Sequence, residues 1–130
     1  MEKRILIIDD EKKLCFVVKA GLEKIGGFDV SIATNGKDGI RAAKRLKPDL
    51  ILLDVCMPKM DGLSVLKRLK ENRDTIAIPI IMLTGLSDDA TKKECSRLYD
   101  EAYLEKPVEI TALSTKIDEV LKRRGTMGEN

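Results

Sequence analysis

Hydrophobic residues in this chain alternate between short apolar runs of strand length and longer stripes with helical spacing. The strand-like runs lie at 3–8, 28–32, 50–53, 80–83 and 102–104. Apolar residues at helical spacing follow them, as Leu14, Val18 and Leu22 do after the first run. An alternation of strands and helices predicts a parallel sheet that is covered by helices on both faces.

The composition of the individual runs predicts their places in the sheet. The run 50–53 is continuously apolar, which is typical of a central strand buried on both faces, whereas 28–32 alternates and suits a half-covered strand. We predict an α/β protein with a flavodoxin-like (βα)5 fold, a three-layer sandwich around a five-stranded parallel sheet in the order 2-1-3-4-5. The fourth helix should begin at Ser87, and the fifth should run over 108–124.

Length and composition favour one soluble domain. The 130 residues are 43% hydrophobic and 35% charged, with a net charge of +2. We predict that 1–124 form the domain and that 125–130 are a C-terminal tail. No apolar run approaches the ~20 residues of a membrane span and no signal-peptide pattern is present, so we expect a cytoplasmic protein. The near-neutral charge gives no case for direct nucleic-acid binding.

The cysteine and histidine content excludes several kinds of chemistry. Cys15, Cys56 and Cys95 have wide spacings that do not fit a disulfide framework. The chain contains no histidine. It could therefore accept a phosphoryl group from a histidine of another protein, but it has no histidine to carry one itself.

Four of the apolar runs end in polar residues that suit phosphoryl chemistry. Asp9-Asp10 follows the first strand, and Asp54 follows the third. Thr84 follows the fourth strand, and Lys106 follows the fifth. The carboxyl ends of parallel strands meet at one edge of a sheet, so these groups should converge. Adjacent carboxylates repel one another unless a cation balances them, and Mg²⁺ prefers such ligands.

Each of these residues also has an ordinary structural interpretation. Asp9 and Asp10 suit the start of a helix, Asp54 suits a turn, and Lys106 suits an exposed strand end. In the functional interpretation, a carboxylate is the nucleophile and forms an aspartyl-phosphate. Asp54 is the best candidate because it stands alone on the central strand, whereas the pair Asp9-Asp10 suits a metal cradle.

The sequence resembles the receiver domains of two-component response regulators over residues 3–124. The resemblance rests on four motifs in this order: Asp9-Asp10-Glu11, Asp54-Val-Cys-Met-Pro-Lys-Met-Asp-Gly, Thr84-Gly85 and Tyr103-Leu-Glu-Lys106-Pro107. It implies that Asp54 is the phosphoacceptor. It also implies that Mg²⁺ is held by Asp9 or Asp10, by Asp54 and by the backbone carbonyl of Cys56, with Asp10 as the more consistent ligand and Asp9 acting through water. Thr84 and Lys106 would contact the phosphoryl group and assist the transfer.

The resemblance further implies a two-state switch. On phosphorylation the Thr84 hydroxyl would move toward the phosphoryl oxygens and the Tyr103 ring would turn inward. This change would shift the surface of the fourth helix, the fifth strand and the fifth helix. The structural alternative for Tyr103 is an edge-strand aromatic that packs for stability. By the same resemblance, the Lys106-Pro107 bond is expected to be cis.

The chain departs from the family pattern near the predicted output surface. Tyr99-Asp100 stands where the family has Gly-Ala, and Val108 stands where Phe is frequent. These changes bear on the choice of partner and the switch geometry rather than on the acceptor site. Leu86 lies two residues after Thr84. We hypothesise that it shields the phosphoryl group from water and slows self-dephosphorylation.

The sequence therefore predicts a phosphorylation-operated signalling switch. Its donor would be a histidine kinase or phosphotransfer protein, and its output would be contact with a downstream protein target. It would assist only its own phosphorylation and dephosphorylation, and so it is not expected to be an enzyme with a separate substrate. We expect no membrane partner, and either a monomer or a phosphorylation-dependent dimer with Lys116 at the interface.

Three other interpretations remain open. A phosphohydrolase of the aspartyl-phosphate type would have two Asp separated by one residue, whereas Asp9 and Asp10 are adjacent. A flavin-binding module would need a loop rich in Ser, Thr and Gly after the first strand, where this chain has three acids. A receiver-like interaction module that works without phosphorylation would not need the full set of site residues, all of which are present.

Overall fold

The structure is a computed structural model that describes residues 2–85 and 102–129. Its elements are β1 (Lys3–Ile8), α1 (Lys12–Ile25), β2 (Phe28–Ala33), α2 (Gly36–Leu46), β3 (Leu50–Asp54), α3 (Gly62–Lys70), β4 (Ile80–Thr84), β5 (Ala102–Glu105) and α4 (Ile110–Glu129). The helix predicted from Ser87 lies outside the described residues, as do Leu86, Cys95, Tyr99 and Asp100. Among the helices described, none is long and apolar enough to cross a lipid bilayer.

The strands form one parallel sheet in the order β2-β1-β3-β4-β5, which confirms the predicted fold. Every residue of β3 and of β4 is buried. Helices cover both faces of these strands, so the strands are continuously apolar up to their last residue. At one edge of the sheet, β5 alternates between half-buried and exposed residues. The edge strand therefore leaves part of its surface available at the protein exterior.

Alternate residues of the inner strands point to opposite faces of the sheet and supply two separate cores. On one face, Ile8 belongs to a buried cluster that includes Leu66 of α3. On the other face, Ile7 belongs to a cluster that includes Val18 of α1 and Ile117 of α4. These two clusters confirm the three-layer arrangement.

Local sequence signals account for the ends of α1 and α2, whereas α4 is longer than predicted. Gly26 and Gly27 follow α1 and have φ angles of 93° and 86°, a region that glycine adopts without a steric penalty. Asn35 is the N-cap of α2, and its side chain accepts a hydrogen bond from the Asp38 amide at 2.8 Å. The C-terminal helix continues to Glu129, beyond the predicted end at residue 124.

Candidate functional site

The residues predicted to carry the chemistry meet at the carboxyl edge of the sheet. Asp9 directly follows β1, and Asp54 is the last residue of β3. Thr84 ends β4, and Lys106 directly follows β5. The side chains of Asp9, Asp54 and Thr84 are buried, and none of these residues exposes more than 4% of its surface. Buried polar groups normally have hydrogen-bond or ionic partners. The partners of these three side chains therefore show which residues make up the site.

The Lys106 ammonium joins the acids of this edge. Its Nζ atom lies 3.0 Å from Asp9 Oδ2 and 3.2 Å from Asp54 Oδ1. It also lies 3.0 Å from Glu11 Oε1. Burial alone would lower the pKa of a lysine, but the carboxylates of Glu11 and Asp9 outweigh that effect and raise the pKa of Lys106 above its ordinary value. Lys106 therefore stays protonated and partly balances the charge of the buried acids.

The Asp54 carboxyl group is costly to ionise in this position. Burial raises its pKa from 3.8 to about 6, and the charge of Asp9 acts in the same direction. Lys106 opposes this rise, and so does the Cys56 amide, which donates to Asp54 Oδ1 at 3.3 Å. Asp54 is therefore mainly ionised at neutral pH but poorly solvated, a state that suits a carboxylate nucleophile.

Glu11 belongs to the site, although the sequence assigned it no role beyond its place in the motif. It is the N-cap residue of α1, but its side chain makes no capping hydrogen bond. The side chain instead accepts a hydrogen bond from Lys106 Nζ at 3.0 Å. Its backbone N–H donates to Asp9 Oδ1 at 2.9 Å. The only sequence signal was a third consecutive acid, which is equally typical of a first helical turn.

The loop after β3 is held by hydrogen bonds and by a close backbone approach at the end of β3. The Asp61 side chain accepts a hydrogen bond from the Ser64 amide at 2.8 Å and caps α3. The Gly62 amide donates to the Val55 carbonyl at 2.7 Å. A Cβ atom at position 62 would overlap the carbonyl oxygen of Asp54. The close approach of α3 to the end of β3 therefore requires glycine at this position.

The acidic cluster has the donor set of a hard divalent cation. One carboxylate oxygen from each of Asp9, Asp10 and Asp54 lies within 4.8 Å of the other two. Asp9 Oδ2 is buried, and despite the nearby Lys106 ammonium no donor among the described residues is aligned to hydrogen-bond it. These oxygen donors fit Mg²⁺. Cys56 contributes its backbone N–H to the site, whereas the role of its carbonyl oxygen stays a prediction.

The two predicted switch residues have different surroundings. Thr84 Oγ1 is buried and has no hydrogen-bond partner in the described part of the chain. An unpaired buried hydroxyl costs about 1–3 kcal/mol, so a ligand that accepts its hydrogen bond would recover this energy. Tyr103 lies next to Met82 in the β4–β5 ladder and exposes 40% of its surface. The Lys106-Pro107 peptide bond is cis, as predicted.

Cys15 lies behind the site and contacts the backbone of Asp9. Its thiol is buried and donates to the backbone carbonyl of Asp9 at 3.3 Å. Burial raises the pKa of Cys15 to about 11, and the charge of Asp9 contributes to the rise. The thiol therefore stays neutral and packs as a small apolar side chain. Cys56, in contrast, is exposed two residues after Asp54.

Asp54→Asn is expected to raise the free energy of unfolding by about 1–2 kcal/mol at neutral pH in a chelator. The rise in the pKa of Asp54 to about 6, which already includes the opposing effect of Lys106, corresponds to roughly 3 kcal/mol, and imperfect hydrogen bonding of the buried asparagine amide offsets part of the gain. Because the folded-state pKa is raised, ionisation of Asp54 lowers wild-type stability as the pH rises from about 4 to about 6.

Urea denaturation over this pH range measures the effect. The advantage of the variant should be largest at neutral pH and should fade as the pH falls toward about 4. Asp29→Asn is a suitable control because Asp29 is exposed on β2. An equal gain at both ends of the pH range would show that ionisation of Asp54 is not its source.

Comparisons with known proteins identify the family. The model of the response regulator receiver domain matches residues 5–118. Protein PilH of Pseudomonas aeruginosa is 37% identical over 118 residues, which cover 91% of this chain and 97% of PilH. The alkaline phosphatase synthesis transcriptional regulatory protein PhoP of Bacillus subtilis is 34% identical over 95% of this chain. This chain spans about half the length of PhoP and of several other curated relatives that it matches.

Solved structures of receiver domains share the fold. A CheY-like response regulator receiver domain protein from Methanospirillum hungatei has a TM-score of 0.88 at 29% identity, covering 98% of this chain and 99% of that one. A receiver domain protein from Clostridium thermocellum has a TM-score of 0.87 at 29% identity, covering 96% and 98%. Sequence, fold and family model agree, and the chain belongs to the receiver domain family of two-component response regulators.

Proposed function

We propose that this protein is a phosphorylation-dependent signalling switch and that Asp54 accepts the phosphoryl group. The observation that supports the proposal most is the position of Lys106, whose ammonium lies 3.2 Å from Asp54 and 3.0 Å from Asp9. A cation at this point neutralises phosphoryl oxygens next to the acceptor. Proteins of this family interact with histidine kinases or phosphotransfer proteins, and we propose a protein of that kind as the donor.

In the proposed transfer, a carboxylate oxygen of Asp54 attacks the phosphorus atom of a phosphohistidine on the donor. The new O–P bond forms as the N–P bond breaks, and the electron pair of the broken bond stays on the imidazole nitrogen. Lys106 pairs with a phosphoryl oxygen, and Thr84 donates a hydrogen bond to another. Asp9, Asp10 and Asp54 would hold Mg²⁺, which supplies positive charge beside the transferred group.

The reverse half of the cycle returns the acceptor to its starting state. A water molecule attacks the phosphorus atom, the bond between phosphorus and the Asp54 oxygen breaks, and inorganic phosphate leaves. The carboxylate is regenerated, and the proton lost by the water goes to phosphate or solvent. The protein thus acts only on itself, as expected for a signalling module without a separate substrate.

We propose that Thr84 and Tyr103 carry the phosphorylation state to the surface. Thr84 Oγ1 has no hydrogen-bond partner among the described residues, so a phosphoryl oxygen would attract it. Thr84 pairs with Glu105 in the ladder that also places Tyr103 beside Met82. A shift at the end of β4 would therefore reach β5 directly. A protein target would then recognise β5 and its neighbouring helices in one of the two states.

Intact mass spectrometry after incubation with acetyl phosphate and Mg²⁺ tests the proposal. The wild type should gain one phosphoryl group, and Asp54→Asn should gain none. Asp29→Asn removes an exposed carboxylate on β2 and should be phosphorylated like the wild type. A chelator should abolish the gain if Mg²⁺ balances the acidic cluster.

Two results would contradict the proposal. A phosphoryl group that persists in Asp54→Asn would assign the acceptor to another residue, which peptide mapping would identify. Absence of any gain in the wild type, together with no effect of beryllofluoride on the amide spectrum around Asp54, would show that the site does not bind a phosphoryl group. An effect of beryllofluoride without a mass gain would instead indicate rapid hydrolysis of the acyl phosphate.

A further inference from the structure

One layer of the molecule carries an excess of exposed cations that the phosphoryl site does not use. Helices α2 and α3 pack side by side on the same face of the sheet. Six of the exposed cations on these helices and in the loop before α3 define a basic face: Arg41, Lys44, Arg45, Lys59, Lys67 and Arg68. The whole chain has a net charge of only +2, so this excess is local.

The cations of the basic face outnumber the acids near them and are not paired with them. Among the residues that the structure describes, none of them forms an ion pair within 4 Å. The nearby acids Asp38 and Asp61 are engaged at helix starts, where they bond Asn35 and the Ser64 amide. Glu71 is the remaining exposed acid at the end of α3. The basic face therefore projects a positive field into solvent.

Helix electrostatics accounts for only part of this arrangement. Cations in the last turn of a helix complement its dipole, and this explains Lys44 and Arg45 of α2 and Lys67 and Arg68 of α3. It does not explain Lys59, which lies before α3 with a φ of 70° and is held between Pro58 and Met60 by a hydrogen bond that joins those two residues. Lys59 adds a third exposed cation to Lys67 and Arg68.

Three cations of the basic face, Lys59, Lys67 and Arg68, line a concave feature. An open groove of about 410 Å³ is lined by Lys59, Met60, Ser64, Lys67, Arg68 and Glu71. Met60 gives it an apolar part, and its sulfur also lies near Gly36 at the start of α2. The groove thus combines three cations, one hydroxyl, one carboxylate and one polarisable apolar side chain. A groove of this volume holds a few side chains rather than a whole globular surface.

We propose that this groove is a docking site for an acidic segment of a partner protein, a function separate from phosphoryl acceptance. Carboxylates of the segment would pair with Lys59, Lys67 and Arg68, and an aliphatic side chain would contact Met60. Glu71 and Ser64 would bind backbone N–H and C=O groups of the segment. Charge complementarity therefore selects an acidic segment, and the shape of the groove determines the orientation of that segment.

Other anionic partners fit the groove less well. A nucleic acid offers no backbone N–H to Glu71, whose carboxylate would repel a phosphate chain. The described aromatic side chains lie elsewhere, on α1, β2 and β5, so the groove lacks a stacking platform. A membrane would need an exposed apolar anchor. The exposed large apolar residues of the described chain are Phe16, Val17, Ile25, Ile76 and Tyr103, none of them on α2 or α3.

Fluorescence anisotropy with a labelled peptide of alternating Glu-rich and Leu-containing stretches tests the proposal without any phosphoryl donor. We expect saturable binding at low ionic strength that weakens steeply with salt. The double variant Lys67→Glu/Arg68→Glu should weaken binding at least about tenfold. The matched double variant Lys24→Glu/Lys122→Glu, whose residues are exposed on α1 and α4, should change affinity less than about twofold.

A second variant tests whether weaker binding comes from the loss of a cation in the groove rather than from the added negative charges. Lys59→Gly removes one cation and adds no negative charge, and glycine accepts the positive φ at this position. It should weaken peptide binding by about threefold or more while leaving the circular dichroism spectrum unchanged. Equal losses in the α1/α4 control would overturn the assignment to this groove.

The competing partners are tested in the same experiment. A DNA duplex and phosphatidylserine vesicles of matched charge concentration should bind more weakly than the acidic peptide. Tighter binding of either one, lost in Lys67→Glu/Arg68→Glu, would overturn the proposal of a protein partner. Since Asp54 and the donor take no part in these measurements, their outcome is separate from that of the phosphorylation assay.

Discussion

Lys106→Met is expected to lower the free energy of unfolding by about 3 kcal/mol at neutral pH in a chelator. Methionine has a similar length but no charge, so Asp9 and Asp54 lose the ammonium that lies 3.0 Å and 3.2 Å from them. Both acids are buried. Removing one partner of a buried ion pair leaves an uncompensated charge, which costs more than the absence of the whole pair.

The pH dependence of this deficit distinguishes charge from packing. The pKa of Asp54 is already raised to about 6 with Lys106 present, and loss of the ammonium would raise the pKa further. Because ionisation of a carboxyl group with a raised pKa is the destabilising event, the deficit should shrink as the pH falls from about 7 toward about 4.5. Urea denaturation at several pH values gives the comparison.

A matched control distinguishes the loss of the Lys106 contacts from the general effect of replacing a lysine by methionine. Lys13→Met changes an exposed position on α1 and should alter stability by less than about 0.5 kcal/mol. A deficit of Lys106→Met that stays constant across the pH range would show that the lysine acts through its alkyl chain. A deficit no larger than that of the control would show that the buried acids are not held by Lys106.

The fold could be predicted from the sequence because the inner strands leave little ambiguity. Residues 50–53 and 80–83 are apolar without interruption, and both runs end in a polar residue at the same edge. Only a strand covered on both faces accepts such a run, and the intervening helical stripes then require parallel crossovers. The order 2-1-3-4-5 follows from the topology that five such units commonly adopt.

The site was predictable wherever a residue lies at the end of a strand. Asp9, Asp54, Thr84 and Lys106 all do so, and the geometry of a parallel sheet brings such positions together regardless of loop details. Glu11 was missed because it lies in the first turn after the strand, where its side-chain direction depends on which group competes for it. The Glu11 side chain bonds Lys106 rather than the backbone amides at the start of α1, because a hydrogen bond between two charged groups is stronger than a capping hydrogen bond.

Local backbone features were the least predictable. Asn35-Gly36 is a strong turn signal, and the chain does turn there, but the Asn35 side chain also starts α2. The end of the last helix was expected at residue 124, whereas α4 continues to Glu129. Helix ends depend on small differences in free energy among a few residues, and the single Gly125 is too weak a breaker to fix the boundary.

Gly62→Ala is expected to lower the free energy of unfolding by about 3 kcal/mol, although alanine is the better helix former. The new Cβ atom would overlap the Asp54 carbonyl oxygen and lie 2.7 Å from Val55 Cα. Both atoms belong to the backbone at the end of a fully buried strand, so neither can move aside as a side chain would. The start of α3 must shift instead, and the bond between the Gly62 amide and the Val55 carbonyl is strained or lost.

The same substitution should affect the proposed phosphorylation of Asp54, because the overlapping carbonyl belongs to Asp54 itself. Thermal and urea denaturation measure the stability change, and Ser64→Ala serves as the control because Ser64 is exposed two residues further along α3. The control should change stability by less than about 0.5 kcal/mol. In the folded fraction of Gly62→Ala, acetyl phosphate should modify Asp54 at least about tenfold more slowly, since a displacement of about 1 Å strongly slows a positioned reaction. A variant with wild-type stability and rate would show that the backbone at the end of β3 can shift at little cost, and the tight approach of α3 would then not be what positions Asp54.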